Sequence, residues 1–578
     1  MECDRALTCV CIPSIMYLSN TISCTEYSQF FVFAYSSDGT LTPKDPMSSS
    51  TPQSVRDACD ILANFYTPNL VDQLLSLCLQ HLLLLDAENL WEWTSSPEEY
   101  LHNLEKRSQD YSIQTAAESL FTSLTEKLPQ TVLAKIVECL EDGDTQINAS
   151  VETTNTEAVL PVEALYYGMG LASFVLIEEI DFNAYFGSIF HPMIKQLMST
   201  ENESSNQQDE DLQVMLVRRM VWMFACFSSM MDNETRFICY EWFSFLLSSS
   251  LPFSDSCVQI TTLTTLNQLA AIDRRVIMIG DEESPLFSHL EGLFAGIYQV
   301  IGEFEETTSK AEALQSINIL VSSISQSFPP DLGNAILSPL SDFWGEWGED
   351  ENILRNKILS TTTTVVKILK GDSSELYSMI IPFIEVSISS DDDQVDSNNL
   401  NPDSYDEENL YLIESGLILW QTLIFNSTSY TEDLHTLFQL SFPHLIIKAD
   451  LDNLQFLFLL LEGYVVLGKE TFLNEFSELL LRTIAKYLVN VREKAVDWVA
   501  HCLEITLCVG KQSILPLLKD FEVLENLFFG IWMNEDRAAE DRMKVLYLSC
   551  LARMISLVFN FFIDLRRCFD SIFCLFVC

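Results

Sequence analysis

Apolar residues recur along most of this chain at steps of three and four, the spacing that gathers them on one face of an α-helix. Across residues 471–487, Phe472, Leu473, Phe476, Leu479, Leu480 and Ile484 share one side, while Glu475, Glu478, Arg482 and Lys486 take the other. Leu314, Ile317, Leu320, Val321 and Ile324 form a second stripe. Ser309, three residues before Glu312, reads as the capping box that starts that helix. Ser96-Pro97-Glu98-Glu99 reads as another helix start, with proline where no backbone donor is missed. In residues 212–231 the apolar set Met215, Leu216, Met220, Val221, Trp222, Phe224 and Phe227 leaves only a narrow polar sector, so neighbours must cover that helix on several sides.

Short polar steps separate such helices: Asp181-Phe182-Asn183, Asp232-Asn233-Glu234-Thr235 and Gly468-Lys469-Glu470. First helices of successive pairs are expected to start near Val159, Leu212, Cys257, Ser309, Glu351, Asn409 and Leu451. Those intervals approach the ~40–47 residue period of HEAT and armadillo arrays. One helix pair cannot bury both its apolar faces, so pairs stack. The predicted fold class is all-α, a right-handed α-α superhelix of the HEAT/armadillo-like solenoid type. Gly and Pro are sparse at 18 each in 578 residues, and no linker divides the chain. The expected organisation is an irregular, non-repeat segment at 1–50, a solenoid at 51–557 and an apolar tail at 558–578.

Charge changes the picture. The formal net charge is −51, yet 48% of residues are hydrophobic, so the chain folds and carries its acid outside. Such a field repels nucleic acid and anionic lipid and attracts basic proteins. On the second helices, which line the inner surface of a curved solenoid, lie Glu241, Glu291, Asp342, Glu346, Glu375, Glu385, Glu475 and Glu478. Glu241, Asp342, Glu346, Glu375 and Glu385 are the candidate concave-face residues. Two acidic runs, 201–211 and 391–408, read as disordered loops. Asp391, Asp392, Asp393, Asp406, Glu407 and Glu408 of the second form a candidate cargo-contact loop.

Catalytic motifs are missing from the sequence: no Walker loop, no HExxH, no nucleophile elbow, and only 7 scattered histidines. Gly168-Met169-Gly170 resembles a fragment of a dinucleotide loop but sits in an apolar helical run, where close helix packing accounts for it. His501 and Cys502, adjacent on a helix, point to different faces. The expectation is no enzyme, no cofactor and no metal site. The 16 cysteines are scattered, the closest being Cys9 and Cys11, which fits reduced thiols rather than a disulfide framework. Met1-Glu2-Cys3-Asp4-Arg5 is unlike a secretory signal, so an intracellular protein is expected. Asn202-Glu203-Ser204 and Asn233-Glu234-Thr235 are then coincidental glycosylation matches. Arg553 and Asp564-Leu565-Arg566-Arg567 interrupt the apolar C-terminal stretch, which predicts no membrane insertion.

Several strings carry a family resemblance: VEALYYGMGLASFVLIEEIDFNAYF (162–186), ENILRNKILSTTTTVVKILKG (351–371), LYLIESGLILWQTLI (410–424) and the Trp/Pro/Glu element of residues 93–100. Their order and spacing resemble the importin-11 branch of the importin-beta karyopherins, over about residues 51–556. The resemblance implies a HEAT-repeat import receptor, monomeric, that binds basic cargo in the cytoplasm, passes the nuclear pore on FG-repeat nucleoporins and releases cargo to Ran-GTP in the nucleus. It implies the middle portion of such a receptor, without the amino-terminal Ran-binding repeats. The alternative function is a HEAT-repeat scaffold for a cytosolic complex, independent of Ran.

Overall fold

The computed structural model describes residues 2–23, 33–35, 41–43, 52–107, 112–140, 159–177, 180–199, 207–248, 255–279, 284–324, 328, 330–347, 351–388, 407–448, 451–490, 495–532 and 545–558. They fall into two compact units, Met1–Ile324 and Ser325–Cys578, where the sequence reads as a single array. The division falls between α-helices that end at Ser323 and begin at Pro330.

Unit 1 begins with α1 (Glu2–Ser23), a regular helix inside the 1–50 segment that was expected to be irregular. Ile12, Ile15, Ser19 and Ile22 recur at helical spacing and are buried. Ser19 Oγ shares hydrogen bonds of 2.9 Å with Ser119 and Ser123 of α6 (Ile113–Lys127). Strands β1 (Phe33–Tyr35) and β2 (Leu41–Pro43) pair antiparallel, Ala34 opposite Thr42.

Between α1 and α6 lie α2 (Gln53–Phe65), α3 (Pro68–Leu77), a π turn (Cys78–Leu82), α4 (Ala87–Ser95) and α5 (Pro97–Arg107). Thr67 and Asp86 accept the backbone N–H groups of Leu70 and Asn89 and so cap α3 and α4. Residues 68–95 are long and apolar enough, by composition, to span a membrane. Here they break at the turn before Asp86, and Val71, Leu75, Cys78, Leu79 and Leu83 pack into the core.

After α7 (129–140) the regular stack starts. In unit 1 the first helices are α8 (Val159–Leu171), α10 (Gln207–Phe227), α12 (Ser256–Ile279) and α14 (Thr307–Ser323), each packed on the next. The segment before α10 ends in α9 (His191–Ser199). The second helices α11 (Asn233–Leu246) and α13 (Leu290–Glu303) form a parallel layer. Unit 2 repeats the scheme. Its first helices are α16 (Asn352–Leu369), α18 (Glu407–Asn426) and the leading halves of α20 (Leu451–Asn490) and α21 (Ala495–Asp520). Its second layer contains α15 (Pro330–Glu346), α17 (Tyr377–Ile388) and α19 (Glu432–Lys448), followed later by α22 (Val523–Trp532) and α23 (545–558). Both units are thus the all-α helical-pair architecture expected. Observed starts at Val159, Gln207, Ser256, Thr307, Asn352, Glu407 and Leu451 sit within a few residues of those predicted. Every step between them exceeds the ~34-residue period of TPR units, which places the pairs in the HEAT size class.

Packing follows the stripes. Phe472, Leu480 and Ile484 are fully buried, as are Leu314, Ile317, Leu320, Val321 and Ile324. α10 is covered by α8 on one side and α12 on the other, which its wide apolar surface requires. Asp181 and Asp232 accept from the N–H groups of Ala184 and Thr235, confirming those polar steps as helix starts. The Gly468-Lys469-Glu470 step is a corner inside α20, with Lys469 at φ 46°. Lys370 (φ 52°) and Lys511 (φ 46°) occupy matching corners.

Two local expectations are corrected. Helix α14 starts at Thr307 with no side-chain cap, and Ser309 lies inside it, fully buried. The acidic runs are not loops throughout: residues 207–211 form the first turns of α10, and Glu407 and Glu408 open α18. Carboxylates are favoured at a helix N-terminus, where they oppose the macrodipole, so acid there extends a helix instead of dissolving it. Residues 201–206 and Asp391, Asp392, Asp393 and Asp406 lie outside the described residues, as does the tail beyond 558.

Candidate functional site

Glu241 sits exposed on α11 in unit 1. In unit 2, Asp342 and Glu346 are exposed on α15, and Glu375 is exposed in the short 3-10 turn (Lys370–Leu376) that leads into α17. Glu385 is half-buried on α17, which packs on α15. Farther along, Glu475 lies 3.5 Å from His435 Nε2 and Glu478 lies 2.9 Å from Arg482 Nε. These are solvated pairs of small individual worth, about 0–1 kcal/mol.

His501 and Cys502 part company as expected. His501 Nδ1 meets Glu462 Oε1 at 2.9 Å, and burial holds the Glu462 carboxyl above the usual range against the opposing pull of that bond. Cys502 is buried, and desolvation pushes its thiol well above the ordinary value, so no ready thiolate stands beside the histidine. Gly168 and Gly170 are packing positions: a Cβ would overlap Leu79 Cδ2 at the first and the Trp222 ring at the second.

A polar constellation lies where α4 and α5 cross the starts of later first helices. Pro97 occupies the first position of α5, as read from the sequence, but Glu98 turns inward and is buried. Its carboxylate accepts the backbone N–H of Glu305 and of Glu306, each at 3.0 Å, and so pins the chain entering α14 from 207 and 208 positions away. Trp93 Nε1 donates to Asp255 Oδ2 (3.2 Å), and Asp255 in turn accepts the N–H of Val258 (3.2 Å) at the start of α12. Burial raises the Asp255 carboxyl, and the Trp93 and backbone donors pull it back. Cys257 Sγ donates to the Pro97 carbonyl at 2.9 Å. His102 Nε2 shares a hydrogen bond of 2.9 Å with Ser309 Oγ, and its Nδ1 faces Glu312 at 3.8 Å.

Beneath this crossing lies buried charge. Trp93 stacks on Tyr100 with centroids 5.5 Å apart, and the Arg218 guanidinium sits 5.4 Å from the Trp93 ring while its Nε donates to Thr261 Oγ1. Burial and the Arg219 charge lower the Arg218 pKa, and burial pushes the Tyr100 phenol up to about 12. Arg219 points the other way. Its Nε meets Glu163 Oε1 of α8 at 2.5 Å, with both side chains almost fully enclosed, and its guanidinium lies 3.8 Å from the Tyr167 ring centroid. Tyr167 donates to Glu118 at 2.7 Å. The adjacent arginines therefore tie α10 to both neighbours. A second enclosed pair, Arg236 with Asp273 at 2.8 Å, joins α11 to α12, where Tyr240 and Ser284 also donate to Asp273.

Sequence reading marked the helix start at Pro97 and the Trp/Pro/Glu element but missed what they touch. Glu98 in a first turn looks like an ordinary dipole-facing carboxylate, and only the partners 207 and 208 positions on reveal otherwise.

Comparison with known proteins places this architecture. Residues 356–571 match the family described as Importin-11-like, TPR repeats. The chain is 25% identical to importin-11 of Homo sapiens over 487 residues, which make up 82% of this chain and 45% of that protein. It is 22% identical to the importin beta-like protein KAP120 of Saccharomyces cerevisiae over 490 residues, 82% of this chain and 44% of that one. The chain thus spans less than half the length of the curated relatives it matches. The solved structure of Lph2, described as a bidirectional nuclear transport receptor of S. cerevisiae, superposes with a TM-score of 0.67 at 19% identity, over 88% of this chain and 48% of that one, and shares the fold. Along most of its length the chain is similar to the importin-11 branch of the importin-beta karyopherins.

Proposed function

We propose that the chain acts within a nuclear import receptor, holding basic cargo proteins through carboxylates on its second helices. The observation that carries this reading is the exposed acid of the second layer and the turn leading into it, Asp342, Glu346 and Glu375 in unit 2, on a chain of net charge −51 that resembles importin-11. Many weak pairs, each worth about 0–1 kcal/mol, add to useful affinity and give up part of it as salt rises. In this reading the protein performs no catalysis. It moves between cytoplasm and nucleus through the pore by contacts with FG-repeat nucleoporins, and Ran-GTP discharges its cargo.

The test is cargo capture from cytosol by the full receptor, with and without Ran-GTP, at two salt concentrations. Binding falls with salt, falls in Ran-GTP, and falls by about tenfold in a D342K/E346K/E375K variant, in keeping with three weak pairs reversed. Cargo retained in Ran-GTP, or affinity indifferent to salt and to the charge reversal, contradicts the proposal.

A further inference from the structure

In a stack of helix pairs each pair touches only its neighbours, and such arrays bend and open one pair at a time. Unit 1 departs from that rule at one edge. Helices α4 and α5, which precede the regular stack, reach past α8 to the starts of α12 and α14 and rest on Arg218 of α10. Three consecutive first helices are joined there by side chains of one short segment.

The bonds themselves set how much motion they permit. A carboxylate holding two backbone donors at 3.0 Å loses them when the helix end moves by a little over half an ångström, because a separation of ~3.6 Å is no longer a hydrogen bond. Bending the stack requires neighbouring helix ends to spread or close by comparable amounts. With Glu98 on α14, Trp93 and the Pro97 carbonyl on α12, and the Trp93 ring over Arg218 of α10, that spread is blocked at this edge. The segment is bound through one face only: Trp91 on α4 is 67% exposed, and Glu99 on α5 faces solvent. Its polar bonds go to helix ends and loops, and its two buried rings, Trp93 and Tyr100, stack on each other, so release costs those bonds and the exposure of two aromatic rings.

We propose that α4–α5 is a clasp that makes α10, α12 and α14 move as one block when closed and lets them flex as separate pairs when released. This goes beyond the import reading and does not depend on it, since it concerns contacts within unit 1 alone.

The test is amide hydrogen exchange on the full chain, comparing the natural protein with Glu98→Gln, which keeps the shape and removes the charge, and with W93F/E98Q, which also removes the Trp93 N–H. Glu98→Gln conserves volume, whereas Trp93→Phe trims a buried ring, so circular dichroism and unchanged exchange in unit 2 verify that the double variant keeps its fold. Exchange at the starts of α12 and α14, residues 256–262 and 305–311, accelerates by about tenfold in the double variant and by less in Glu98→Gln, while α18 and α19 in unit 2 stay unchanged. Glu99→Gln, the exposed neighbour, leaves every peptide as it was. Unchanged exchange at both helix starts, or an equal acceleration throughout both units, overturns the clasp.

Discussion

Unit 1 and unit 2 are built from the same helix pairs but are held together differently. Among the described residues of unit 2 the side-chain bonds between elements run to near neighbours: Tyr377 to Ser427, Trp420 to Tyr464 and on to the Leu434 carbonyl, Tyr487 to the Ile446 carbonyl, Tyr547 to the Leu488 carbonyl. The polar groups in those bonds are hydroxyls and an indole, and the buried Arg355 and Glu462 of unit 2 meet the Trp347 carbonyl and His501. Unit 1 encloses both members of two arginine–carboxylate pairs, Arg219 with Glu163 and Arg236 with Asp273, and adds bonds that skip 160 to 208 positions of chain. A nearest-neighbour stack gains stability repeat by repeat, whereas cross-ties and enclosed charges make separate repeats depend on one another. One architecture therefore carries a stiff, interdependent unit and a modular one.

Substitutions that target the distinguishing contacts should separate the two units. The largest expected effect is Arg219→Met, which leaves the Glu163 carboxylate enclosed without its partner and destabilises unit 1 by about 3–5 kcal/mol. Replacing both partners in R219M/E163M restores most of that loss, because the desolvated charge is gone. Urea denaturation measures both, and a double variant as unstable as the single one shows that the pair is not the source. At the small end, Lys469→Gly in unit 2 relieves a side chain held at φ 46° and raises stability by less than about 1 kcal/mol, since glycine costs chain entropy in return. A lowered unit 2 midpoint for that variant contradicts the strain argument.

Legibility from sequence follows the same divide. Local periodicity located the starts of α8, α12, α14, α16, α18 and α20 within a few residues, because a stripe such as Leu314, Ile317, Leu320 and Val321 depends only on neighbours in the chain. Gly168 and Gly170 were legible as packing residues for the same reason. Helix α1 was readable too, from Ile12, Ile15, Ser19 and Ile22, but Cys and Thr between them blur the stripe. Acidic residues at 207–211 and 407–408 misled because charge density suggests a solvated loop, while a helix N-terminus welcomes the same carboxylates. Ser309 misled because its capping pattern was real as a string but its hydroxyl is bound to His102 from another element. Glu98 and Trp93 illustrate the general limit, since no local pattern announces a partner 160 or more residues away.

The claim that unit 1 is interdependent and unit 2 modular is tested most directly by hydrogen exchange of the full chain across a series of urea concentrations. The account predicts that peptides from α5, α10, α12 and α14 lose protection together at one concentration, while those from α16, α18, α20 and α21 lose it at graded, separate ones. Graded loss within α10, α12 and α14, or a single shared midpoint across unit 2, would contradict it.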